Sequence, residues 1–237
     1  MSVLLDLDIM EQPDDTTCGP TCLHALYRYY GEDFTLKRII DEVQSLEGGG
    51  TLAVLLACHA LRRHYKARIY TYNLHIFDPT WFNPTVPDLA ERLERQGLLK
   101  NDPKLRFATK AYIEYLALGG KMEFKDLTHA LIRRHLKAGN PILTGLSATY
   151  LYNFPRENPK DCSDDDIGGY PTGHFVILYG YNRERRTVMV ADPLTRNEHY
   201  YEVEIHRLVS AILLGIVTYD ANLLVIEPGR EKKEAAL

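Results

Sequence analysis

The chain has 237 residues, 45% of them hydrophobic and 25% charged, with a formal net charge of −4 and a pI near 6.1. That length and balance supply a core of useful size and fit an ordinary globular chain. They exclude a polycationic surface made for nucleic acid or anionic lipid, and no run reaches the roughly 18 uncharged apolar residues of a membrane span.

Residues 3–9 alternate loosely and read as an edge strand or an extended lead-in. The turn-rich "EQPDDTT" follows. A helix is expected from 18 to 30, because Cys22, Ala25, Leu26 and Tyr29 recur at three and four residues on one face, and Gly31 stops it. "TLKRIIDEVQSL" predicts a second helix with Thr35 as N-cap. After the flexible break "EGGGT", "LAVLLACHALRRHY" predicts a third. Residues 67–74 alternate with β-branched and aromatic side chains and predict a strand, and the proline-punctuated 75–86 predicts irregular chain. "DLAERLERQGLL", "ATKAYIEYLALGG" and "EFKDLTHALIRRHLKAG" predict three more helices.

"PILTGLSATYLY" begins as a strand, and "NFPRENPKDCSDDDIGGYPTG" is a long acidic, glycine-rich loop. "HFVILYGYN", "TVMVADP" and "EHYYEVEI" predict three strands, 203–214 includes a helix, "ANLLVIEP" is a last strand, and the tail "GREKKEAAL" is expected to fray. Helices thus fill the first two thirds and strands cluster in the last, an α+β arrangement without βαβ repetition.

"MSVLLDLDIM" has no basic start, and Asp6 and Asp8 interrupt its apolar run, so no secretory signal is read and a cytoplasmic location is expected. There Cys18, Cys22, Cys58 and Cys162 would stay reduced. Cys18, Cys22 and His24 lack the ligand spacing of zinc sites, and Asp164–Asp166 lacks the calcium-loop spacing, so neither metal nor cofactor is expected. The basic residues Arg133, Arg134 and Lys137 read as a solvated helix face, not a nucleic-acid surface.

Cys18 opens the first helix. Unpaired N–H groups and the positive end of the dipole at a helix mouth stabilise negative charge on a sulfur and on an oxyanion. Gln12, in the lead-in, is a neutral amide donor that keeps its charge state through a reaction. Of nine histidines, His174 differs from the rest: it starts an apolar strand directly after a flexible loop. That strand turns at "NRERR" and returns as "TVMVADP". Counted about the turn, the hairpin sets Asp192 level with His174, where a carboxylate can orient an imidazole. The "SATYLYNFPREN" stretch either lines a pocket or packs in the core. The acidic loop before His174 would flank the cleft and favour basic substrates.

"QPDDTTCGPTCL", followed far downstream by "GHFVILYGY" and "ADP", resembles the C39 and C39-like cysteine peptidases of the papain-like superfamily. The resemblance implies a papain-like cysteine peptidase fold, with an N-terminal helical part carrying the nucleophile and a C-terminal antiparallel sheet. It implies Cys18 as nucleophile, His174 as base, Asp192 as orienter and Gln12 in the oxyanion hole. The activity implied is hydrolysis of a peptide or related amide bond through an acyl-thioester, with a peptide or protein as substrate. A thiol acyltransferase or ligase, or a non-catalytic binder on the same fold, stays open. The chain departs from a minimal C39 domain in length, so a single domain over 1–237 with a helical insertion at about 75–140 is expected. It also shows none of the membrane and ATPase parts that accompany the family's transporter members, so their Gly-Gly leader substrates do not carry over.

Overall fold

The computed structural model describes residues 2–46, 49–85, 88–194, 196, 198–218 and 220–229. The expected frayed tail from 230 onward, and residues 47–48 of the "EGGGT" break, lie outside these. The strands are β1 (Val3–Leu4), β2 (Tyr65–Thr71), β3 (Lys121–Glu123), β4 (Ile142–Ser147), β5 (Gly173–Asn182), β6 (Thr187–Ala191), β7 (Tyr200–Glu204) and β8 (Asn222–Pro228). The α-helices are α1 (Cys18–Tyr29), α2 (Leu36–Glu42), α3 (Ala53–Arg62), α4 (Leu89–Leu99), α5 (Pro103–Ala117), α6 (His129–Lys137), α7 (Ala148–Tyr152) and α8 (Ile205–Leu214). None of the helices among the described residues is long and apolar enough to cross a membrane.

All strands join one sheet in the order β3-β2-β8-β4-β5-β6-β7, with β1 on the far stretch of β5. Every pairing is antiparallel except β2 with β3. β2 comes from the helical part of the sequence yet lies against β8, the last strand. Helices and strands are therefore less segregated in space than the sequence order implies.

Alternate residues along the strands supply two cores, as the period of two requires. Phe175, Ile177, Leu143 and Leu224 pack with α1, α3, α4 and α5 on one face. Val176, Leu178, Ile142 and Val225 pack with α6 and α8 on the other. The segment 75–140 therefore splits across the sheet: Leu93 of α4 and Tyr112 and Tyr115 of α5 enter the first core, while Leu131, Ile132 and Leu136 of α6 enter the second.

Local chemistry sets the element ends. The Thr35 hydroxyl caps α2 by accepting from Arg38 N at 3.3 Å. α5 starts earlier than its apolar pattern suggests, because the Asp102 carboxylate accepts from Lys104 N at 2.9 Å and Leu105 N at 3.1 Å with Pro103 in the first turn. Gly31 takes the left-handed conformation, φ 84°, that ends α1.

Candidate active site

Thr17 is the N-cap residue of α1 and Cys18 its first helical residue. The lead-in is a folded turn in which the Asp14 carboxylate accepts from Thr16 N at 2.8 Å and Thr16 Oγ1 at 2.7 Å, while Thr17 Oγ1 donates to Asp14 O at 3.1 Å. The first turn of α1 lies hard against its neighbours: a Cβ on Gly19 would come within 2.6 Å of the Thr51 methyl and 3.2 Å of the Phe175 ring. One turn on, the Cys22 thiol donates to Phe175 O at 3.3 Å and ties α1 to β5. Phe175 follows His174, so these contacts bring the mouth of the helix to the start of the strand.

His174 and Asp192 meet as β5 and β6 leave their ladder. The hairpin pairs Asn182 with Thr187 and Tyr181 with Val188, then passes a bulge to pair Leu178 with Val190 and Ile177 with Ala191. Continued one step, that register sets Asp192 across from Val176, two residues along the same face from His174. The two are diagonal neighbours, not the level pair expected from counting about the turn. His174 Nε2 lies 2.8 Å from Asp192 Oδ1. That leaves Nδ1 for the sulfur of Cys18, which hydrogen-bonds the ring.

Electrostatics follow from burial. His174 is buried and Asp192 entirely so. Burial opposes a charged imidazole, but hydrogen bonds to Asp192 and to the Cys18 sulfur, and their negative charges, outweigh it and raise His174 above the ordinary histidine value. Burial likewise works against the Asp192 carboxylate, and the hydrogen bond and charge of His174, with Tyr152 and Leu194, hold it below the ordinary value. The charged pair is therefore the stable form.

Gln12 is buried, and its backbone N–H donates to Pro193 O at 2.9 Å, next to Asp192. Its Nε2 gives one hydrogen to Asp14 O at 2.8 Å, and Oε1 is enclosed without a partner. Gln12 and His174 share a cavity of about 60 Å³ with Phe154, Glu157, Cys162 and Leu194. The acidic loop forms one wall of it. This loop is ordered by its own bonds: Glu157 pairs with Tyr170, Arg156 donates to Ile167 O at 3.1 Å, and Asp164 meets Arg196 at 3.9 Å.

The structure thus brings Cys18, His174, Asp192 and Gln12 into one place. Of the other thiols, Cys22 and Cys58 are buried and Cys162 is exposed in the loop, on the wall of the cavity that Gln12 and His174 line. Burial, then the charges of Cys18 and Asp192, push the Cys22 thiol well up. His24 is buried with Nε2 at 2.8 Å from Phe34 O, and no metal-holding cluster forms among the described residues. Sequence reasoning missed two tyrosines, Tyr152 and Tyr201, whose hydroxyls both reach Asp192 Oδ2. Tyr152 lay in a stretch singled out for its aromatics, and the alternation of Tyr201 with Val203 was the one signal that Tyr201 turns inward.

The family model described as "Peptidase_C39 like family" matches residues 98–211, a span holding His174 and Asp192 but not Gln12 or Cys18. No curated protein matches the chain. Among solved structures, one described as a "putative C39-like peptidase" from Bacillus anthracis is 15% identical, with 95% of this chain and 97% of that one covered, at a TM-score of 0.51. Xylellain, a cysteine protease from Xylella fastidiosa, is 15% identical over 97% of this chain and 86% of that one, at a TM-score of 0.44. A double glycine motif protease from an AMS/PCAT transporter, solved with its leader peptide, is 12% identical over 95% of this chain and 94% of that one, at a TM-score of 0.45. The chain matches the C39-like peptidase family model over that segment, and its mixed, mainly antiparallel fold is similar to that of the putative C39-like peptidase from Bacillus anthracis.

Proposed function

We propose that the chain is a cysteine-dependent hydrolase acting on a peptide or related amide bond, a single peptidase unit in which the helices of segment 75–140 are additions around the common fold. The observation that carries this reading is the half-buried Cys18 at the N-terminal end of α1 set against the buried His174–Asp192 pair. The Cys18 thiolate attacks the carbonyl carbon, the C=O π pair moves to oxygen, and the N–H groups at the mouth of α1 with the second Nε2 hydrogen of Gln12 receive that oxyanion. Collapse expels the amine, which takes its proton from His174 Nδ1, and leaves a thioester on Cys18. His174, now neutral, takes a proton from water as the water attacks. Acid leaves, and the thiolate–imidazolium pair is restored. Asp192 holds the ring throughout.

The test uses iodoacetamide near neutral pH with mass spectrometry of the four thiols. Cys162 is the exposed competitor, but burial and the carboxylates of Glu157, Asp15 and Asp161 push its thiol up, which disfavours the reactive thiolate. Cys18 is expected to label first in the wild type and to lose that preference in His174→Ala. Labelling of Cys162 ahead of Cys18 in both proteins would overturn the proposal and leave a binding protein on a peptidase fold. Transfer of the acyl group to an added amine in preference to water, read by mass, would make the chain an acyltransferase.

A further inference from the structure

The proposed chemistry uses the Asp192 edge that faces His174 and leaves its other oxygen unexplained. Oδ1 accepts from His174 Nε2 at 2.8 Å and from Leu194 N at 2.9 Å. Oδ2 accepts from the phenol of Tyr201 at 2.7 Å and from that of Tyr152, and the two hydroxyl oxygens lie 3.1 Å apart. A carboxylate with no solvent exposure therefore has at least four protein donors among the described residues, two of them phenols from different elements, α7 and β7. Both phenols are largely enclosed, and burial, then the Asp192 charge, keeps each of them protonated and a donor.

We propose that Tyr152 and Tyr201 are positioning residues of the thiol hydrolase, which fix Asp192 and hold it ionised so that it supports the His174 imidazolium without taking its proton. The inference rests on the function proposed above.

Its physical basis is the instability of a bare buried carboxylate. Without donors, the desolvated charge is relieved by moving the proton from His174 Nε2 onto Oδ1, which leaves a neutral acid beside a neutral imidazole. That pair offers the sulfur no positive charge. Two hydroxyls on Oδ2 remove the incentive, because hydrogen bonds to a charged acceptor are about twice as strong as neutral ones.

Their placement is built in. Arg207 donates to Leu151 O at 3.0 Å and to Tyr150 O at 2.7 Å, which pins the last turn of α7 against α8, and Asn153 at φ 58° ends the helix directly after Tyr152. Among the described residues, the titratable groups facing Asp192 are His174 from β5, Tyr152 from α7, Tyr201 from β7 and Cys22 from α1, beside the Leu194 N–H, and Cys18 acts on it through His174. Cys22 is too deeply buried to ionise, so the phenols and the imidazole are the groups that set the state of the carboxylate.

The experiment measures the iodoacetamide rate at Cys18 against pH for wild type, Tyr152→Phe, Tyr201→Phe and the double variant. The sign follows from the bonds removed. Each lost hydroxyl makes Asp192 easier to protonate, so the imidazolium loses its partner at a higher pH and the acid limb of the profile moves up. A hydrogen bond to a charged group corresponds to about one pH unit at the carboxyl itself, so the limb is expected to move up by no more than that in each single variant and further in the double variant. Tyr179→Phe, at a ring set edge-on to that of Tyr200 with centroids 5.8 Å apart, is expected to keep the wild-type profile. A purely structural role would lower the unfolding midpoint without moving the limb. If the double variant does not fold, the two single variants decide. Profiles that superimpose on wild type while Cys18 is still labelled first would overturn this inference and leave the proposed function standing. Loss of selective labelling in the wild type itself would overturn the proposed function.

Discussion

Asp220 gives a stability test that is independent of the chemistry. Its side chain is buried below the start of α3, where Oδ1 accepts from Ala53 N at 3.1 Å and from Asn222 Nδ2 at 2.8 Å. Burial is the largest influence and pushes the carboxyl up to about 6 from 3.8, while those two hydrogen bonds and the charge of Lys104 pull the other way. An acid with a raised folded value binds its proton in the native state while the unfolded chain has already released it. Between about 4 and 6 the native state thus holds more protons, and stability falls as pH rises. The gap of about two pH units corresponds to about 3 kcal/mol at pH 7, since each unit is 1.36 kcal/mol. Asp220→Asn keeps the acceptor for Ala53 N–H and removes the ionisation. Urea unfolding is expected to find the variant more stable at pH 7.5, by up to about 3 kcal/mol, with the gain shrinking as pH falls through 6 toward 4.5. A difference that is absent at pH 7.5, or equal at both ends of the range, would refute the reasoning.

Gly19→Ala places a methyl 2.6 Å from the Thr51 methyl and forces α1 away from β5, at a cost of about 1–3 kcal/mol typical of overpacking; chemical denaturation should show that loss, with a slower alkylation rate at Cys18 because the helix mouth has moved from His174. Cys22→Ala removes a buried thiol and its weak bond to Phe175 O. About 1 kcal/mol of stability should go while the Cys18 alkylation rate stays within about twofold, as expected of a packing residue.

The sequence was most legible where one local rule decided the outcome. Apolar spacing and a glycine stop specified α1, and an Asp-Pro after a strand marked the end of β6. The pairing of β2 with β8 was hidden, because neither strand's pattern says which partner it takes. The division of 75–140 across both faces of the sheet was hidden too, since an amphipathic helix states that it has a buried face and not which layer receives it. The level pairing failed by two residues, with Asp192 opposite Val176, because the turn centre lies beyond "NRE" and the bulge between Leu178 and Gly180 recovers only part of that offset. At the site, Cys18 and His174 could be singled out by residue type and position in the sequence. Tyr152 and Tyr201 could not, because a phenol that supports a carboxylate looks like any core aromatic until the carboxylate's second oxygen has coordinates.

Gln12 allows the two halves of the mechanism to be separated with small probes. Alkylation by iodoacetamide is a displacement at carbon and develops no oxyanion, whereas acylation by p-nitrophenyl acetate passes through a tetrahedral oxyanion. In the proposed mechanism His174 serves both reactions, since each begins from the thiolate that the imidazolium stabilises. In that proposal Gln12 serves only the second. Its backbone is held by Pro193 O at 2.9 Å and one amide hydrogen by Asp14 O at 2.8 Å, so the other hydrogen is placed by the fold before any substrate arrives. Gln12→Ala is expected to slow p-nitrophenol release by about 10²-fold, the cost of one oxyanion donor, while the alkylation rate of Cys18 stays within about twofold. His174→Ala should depress both. Equal loss of the two rates in Gln12→Ala would mean that the residue shapes the lead-in turn and not the oxyanion hole. No loss in either would leave the N–H groups at the mouth of α1 as the only donors to the oxyanion.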